Sequence, residues 1–169
     1  MIRMTTIAIS LLCVSGCTTI GGKSGPVKTA NTSAEPVALS LADERIAQDG
    51  FGALDDAALP EKACGMVLWT LEGNRPEAIF RYVSGKEAEV NIGGTLVKLS
   101  RMDYSGASGY GVYESQLFQS TDGVAVEVNA KFGLGFNGGS YLEQGVVKIT
   151  DSHGWSLVSP TAGIAGCRS

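Results

Sequence analysis

Three places in this chain of 169 residues hold residue types that could do chemistry. His153, the single histidine, lies in Asp151-Ser152-His153-Gly154. A histidine can act as general base or metal ligand, but its neighbours here are turn formers. A solvent-facing turn is expected, in which the adjacent Ser152 and His153 do not point together. A lone histidine without clustered partners also makes no zinc set. Gly133-Leu134-Gly135-Phe136-Asn137-Gly138 has the glycine spacing of a dinucleotide loop. Such a loop must open a helix whose N-terminus faces the phosphates. An alternating strand follows instead, so a glycine-rich hairpin loop is expected. Gly22-Lys23-Ser24 ends like a phosphate-binding loop, but Cys17 stands where that loop needs its first glycine. The sequence therefore offers no catalytic, metal or cofactor site, and it reads as a non-enzyme.

The segment Tyr104-Ser105-Gly106-Ala107-Ser108-Gly109-Tyr110 is different in kind. It is small, rich in hydroxyls and flanked by tyrosines. Tyr with Ser and Gly gives large contact area together with adaptable hydrogen bonding, a composition suited to a protein partner. It is expected to form a loop.

The four cysteines divide by position. Residues 1 to 16 read as an export leader. Arg3 gives the positive start, and Ile7, Ala8, Ile9, Leu11, Leu12, Cys13 and Val14 form an apolar run too short to span a bilayer. Val14-Ser15-Gly16-Cys17 follows. A small pair before the cysteine can enter a narrow protease cleft, and the thiol can take a diacylglycerol. This stretch resembles the lipobox of bacterial lipoproteins. The resemblance implies cleavage before Cys17 and a lipid anchor on that residue. Thr18 in place of Asp at the next position implies the outer membrane, periplasmic face. Several acyl chains on one residue anchor firmly, at about 0.8 kcal/mol per buried CH₂. Cys64 and Cys167 remain, and in an oxidising compartment such an even pair is expected to form a disulfide.

Composition bounds the rest. Only 18% of residues are charged, 23 are Gly, and the formal charge of -4 becomes -5 when Arg3 leaves with the leader. No basic block is present, so there is no footprint for nucleic acid. Residues 17 to 60 are expected to form a flexible tether, with a short helix over Ser40 to Gln48 followed by Gly50. Residues 61 to 169 form the domain. There the apolar period is two, in eight runs: 66–71, 78–83, 87–92, 95–101, 110–119, 124–132, 141–150 and 155–158. Gly93-Gly94 predicts a two-residue hairpin turn that sets Ile92 opposite Thr95, Val90 opposite Val97, Ala88 opposite Leu99 and Glu89 opposite Lys98. Short turns between strands imply an all-β antiparallel meander, expected to close into a small barrel. A two-sheet sandwich is the alternative. Trp69 and Trp155, in the first and last strands, are expected to pack together at the closure.

At the Ser105–Tyr110 segment the domain is similar to the membrane-bound inhibitors of c-type lysozyme. Those small lipoproteins have an eight-stranded barrel and a Ser-Gly-rich recognition loop ending in Tyr. Gly109 stands where that family usually has a basic residue. The resemblance implies that Ser105, Ser108 and Tyr110 enter the cleft of a peptidoglycan hydrolase, where hydroxyls could satisfy catalytic carboxylates without offering a bond to cleave. A structural or assembly lipoprotein docking on an envelope complex is the other reading.

Overall fold

The computed structural model describes residues 50 to 169. The leader, Cys17 and the expected Ser40–Gln48 helix lie outside the described residues. Those described form nine strands and no helix: β1 Phe51–Gly52, β2 Cys64–Thr70, β3 Ala78–Val83, β4 Ala88–Ile92, β5 Thr95–Gly109, β6 Val112–Gln119, β7 Ala125–Phe136, β8 Gly139–Thr150 and β9 Ser156–Cys167.

Strands β2 to β9 pair antiparallel with their neighbours in the chain, and β9 returns to pair with β2. Eight strands thus close into the expected barrel. β1 is extra. It pairs with the end of β4, Phe51 opposite Ile92, so the folded framework begins before residue 61.

Eight strands leave an interior just wide enough for side chains. Phe118 sits at its centre, its ring 5.3 Å from Phe80 and 5.2 Å from Tyr82. Met66, Leu68, Val90, Leu99, Val126, Val128, Leu142 and Ile149 fill the space around it, all buried. The outer wall instead carries ion pairs, Arg81 with Glu89, Lys148 with Glu127 and Lys98 with Glu87. This polarity is the inverse of a lipid-facing barrel.

The Gly93-Gly94 turn forms as the sequence implies, with both φ angles positive at 54° and 76°. All four expected cross-strand pairs occur. The charges distribute differently, however. Glu89 turns to Arg81 on β3, and Lys98 reaches diagonally to Glu87. A guanidinium can grip a carboxylate through more than one N–H, which a lysine cannot.

Three strands outrun their apolar patterns. β5 continues to Gly109, β7 to Phe136 and β9 to Cys167. The tryptophans do not meet as expected. Trp155 lies in the β8–β9 turn, 66% exposed, whereas Trp69 lies opposite Ala162 on the outer face. Trp155 precedes the first residue of β9, whereas Trp69 lies beside its seventh.

That seam is β2 against β9, seven residue pairs from Cys64–Cys167 to Thr70–Thr161. The terminal pair is the expected disulfide, with Cα atoms 3.9 Å apart and a sequence separation of 103. Gly163 permits the close approach: a Cβ there would collide with the carbonyl oxygen of Val67 and come within 2.7 Å of Leu68 Cδ2. Replacing both cysteines by Ser should lower the unfolding free energy by about 2–5 kcal/mol in a denaturant titration. Gly163→Ala, with the bond intact, should cost about 1–3 kcal/mol through overpacking.

Candidate functional site

Ser105, Ser108 and Tyr110 do come together, but on a strand hairpin and not in a loop. The outer half of β5 pairs with β6: Tyr104 opposite Gln116, Ser105 opposite Ser115, Ser108 opposite Tyr113 and Gly109 opposite Val112. Tyr110-Gly111 makes the two-residue turn, with φ of 57° and 76°. Residues Met102 to Ser108 are all exposed, and no described strand pairs with their other edge. The hairpin is therefore an arm presenting hydroxyls and tyrosines.

The hairpin is tied down from within the barrel, at its turn as well as its base. Arg101 donates through Nη1 to Gly111 O at 2.9 Å and to Gln116 Oε1 at 3.1 Å. Its guanidinium lies 5.1, 4.7 and 5.3 Å from the rings of Tyr82, Tyr104 and Tyr113. Tyr104 and Tyr113 also stack, centroids 4.2 Å apart. Gln116 is buried and donates onward to Met66 Sδ at 3.7 Å. The cation is thus held by ring faces and amide oxygens.

A second clasp sits farther out. Register shifts occur between Arg101 and Asp103 and between Ser105 and Ser108, and the second frees Gly106-Ala107 from regular pairing. Glu114 fills the gap. Its carboxylate accepts from Lys131 Nζ at 3.2 Å, and the backbone of Phe132 and Ala107 also hydrogen-bonds to it. The Lys131 hydrogen bond, helped by that lysine's charge and the two backbone bonds, holds the Glu114 carboxyl below the usual glutamate value against the opposing effect of burial. The sequence did not single out Glu114, Arg101 or Tyr113. A partner for Glu114 lies 17 residues away, beyond any local pattern.

Tyr110 holds a left-handed backbone, which costs a non-glycine residue about 1–2 kcal/mol. The two-residue hairpin turn requires it, since both central residues must take positive φ.

The other candidates resolve simply. The glycine run at 133 to 138 continues β7 and turns at Asn137-Gly138 into β8, with no helix. Asp151 is buried, and its Oδ1 accepts the backbone N–H of His153 at 2.9 Å and of Trp155 at 2.8 Å. That carboxylate shapes the turn. Contrary to expectation, Ser152 Oγ comes within 3.4 Å of His153 Nδ1, because the turn bends both side chains to one side. Both residues are exposed at the tip. Among the described residues, no three His, Cys, Asp or Glu gather as metal ligands could.

No protein-family model, curated protein or solved structure matches this chain.

The Glu114 clasp has a definite pH sign. A carboxyl whose folded pKa is lowered contributes fully above its unfolded value and is lost as pH falls through the folded one. The Ala107 and Phe132 amide NMR signals should therefore titrate together, with a midpoint below that of an ordinary glutamate. Glu114→Gln should abolish the shared titration.

Proposed function

We propose that this protein is a membrane-anchored envelope lipoprotein whose barrel presents the β5–β6 arm to a protein partner, in the manner of a lysozyme inhibitor. The observation that carries the reading is the arm itself. It exposes Ser105, Ser108 and Tyr104, with Tyr110 at its tip, while Arg101 and Glu114 fix it from below. An arm ordered before contact saves much of the entropy that a free loop would lose on binding. The register shifts along β5 break its outer edge, which disfavours the addition of a partner strand. Contact then falls to side chains, and these are hydroxyls and tyrosines.

The partner class is a glycosidase of the cell wall. Two carboxylates in such a cleft are good acceptors for the Ser105, Ser108 and Tyr110 hydroxyls. The anchor is Cys17, and the proposed location is the periplasmic face of the outer membrane.

Purified protein should inhibit c-type lysozyme at about micromolar concentration, and the double change Ser105→Ala, Tyr110→Ala should remove the effect. Tyr110→Asn separates function from folding, because Asn tolerates the left-handed turn. It should keep or raise Tm while weakening inhibition. Full lysozyme activity at that concentration would overturn the inhibitor reading, and co-purification with an envelope assembly complex would favour the structural one. Mass spectrometry of the native protein should find the leader absent and Cys17 acylated.

A further inference from the structure

Between β1 and β2 the chain crosses the outside of the barrel from one end to the other. Leu54 N bonds Ala78 O at the start of β3, and Arg168 N bonds Ala63 O beside the start of β2. Along the way the segment makes no strand. It is pinned by two arginines: Arg81 Nη1 donates to Ala58 O at 2.8 Å and Arg168 Nη1 to Leu59 O at 2.9 Å. Asp56 Oδ1 takes the Ala58 N–H at 3.0 Å. The strap therefore satisfies backbone groups through side chains and stands off the sheet it crosses.

The space it leaves is a groove of about 360 Å³. Val67, Trp69 and Ile164 form its floor, Leu59 lies in the strap wall, and Phe136 closes it from the β7–β8 turn. This size and lining lie within the range of small-molecule sites, which are apolar with a few polar groups that orient the ligand. The polar side chains here are Asn137 and Arg168, and no Asp or Glu lines the groove. In a chain of net charge -4, that makes it a local positive site. One N–H of Arg168 serves the strap, and a guanidinium has five.

We propose that this groove binds a single aliphatic chain with an acidic head, with the chain along Val67, Trp69 and Ile164 and the head at Arg168. Apolar walls favour the chain, and the lone cation selects the sign of the head. The site is separate from the β5–β6 arm and independent of what that arm binds.

Trp69 provides the readout. The chain has two tryptophans, and Trp155→Phe at the exposed turn leaves Trp69 as the only emitter. Monomeric dodecanoate, below its micelle concentration, should change Trp69 emission saturably with Kd under about 100 μM. Arg168→Gln should weaken binding about tenfold, the equivalent of about 1.4 kcal/mol, and Arg168→Lys should restore most of it. Ala57→Phe, which intrudes on the groove without touching the floor, should block binding in a protein with unchanged circular dichroism. Dodecyltrimethylammonium should bind at least about tenfold more weakly. Equal binding of the two head groups, or a dodecanoate response indifferent to both Arg168→Gln and Ala57→Phe, would overturn the proposal. So would no response to about 1 mM dodecanoate, an aliphatic peptide binding where dodecanoate does not, or self-association that buries Trp69.

Discussion

Closure of the barrel along β2 and β9 is the constraint on which the rest of the molecule depends. Every other neighbouring pair in the barrel is joined by a turn, so its entropy of association is small. The seam joins strands about a hundred residues apart. It must bring them into one register without a turn to help. Two features compensate. The disulfide at Cys64–Cys167 fixes the first pair of the register, and Gly163 lets the strands approach where Leu68 and the Val67 carbonyl already fill the space. A one-residue slip would separate the cysteines and turn Met66 and Leu68 outward, so covalent and hydrophobic preferences select the same pairing.

The seam also decides where the candidate surfaces lie. β2 begins and β9 ends at the same end of the barrel, and the turns β3–β4, β5–β6 and β7–β8 lie there too. β5 exceeds the five- to seven-residue strands β2 to β4 and runs well past the start of β4 at that end. The arm and the strap groove both open on it. The opposite end carries the short Gly93-Gly94 turn, where Gly93 N bonds Gly50 O, and the Asp151 turn, closed by the Asp151 carboxylate. One end is finished by turn chemistry, and the other is covered by the β5–β6 turn, whose Gly111 lies against Ser84 and whose neighbour Val112 is buried in the core.

The middle of the barrel was legible because its strands have one wet face and one dry face. Val124 to Phe132 and the Gly93-Gly94 hairpin alternate cleanly, and their pairings follow from the pattern. Legibility failed where that contrast disappears. On β9 the inward residues past Val158 are Ser159, Thr161, Gly163 and Ala165. They are small because β2 lies close against them, so the strand has no apolar rhythm. From Met102 to Ser108 both faces of β5 meet water, and a two-faced polar strand reads like a loop. The partner-facing residues of the arm were visible by composition. Their supports were not, since Arg101 with Gln116 and Glu114 with Lys131 pair across strands.

The same supports explain how an arm of small residues stays ordered. Ser, Gly and Ala bury little apolar area, so packing of the arm rests on Val112, buried in the core just past the turn, and on the Tyr104–Tyr113 stack. A polar line running out of the core adds to this: Met66 receives Gln116, Gln116 receives Arg101, and Arg101 reaches the Gly111 carbonyl at the turn. The tyrosine rings around Arg101 add an attraction that needs no buried carboxylate. Gln116 is buried, so losing Arg101 would leave its amide oxygen without that donor deep in the barrel, which carries a cost of about 1–3 kcal/mol. The tip is therefore tied to the interior in both directions. Whatever the arm meets, it meets as an extension of the barrel wall, with its geometry set before contact.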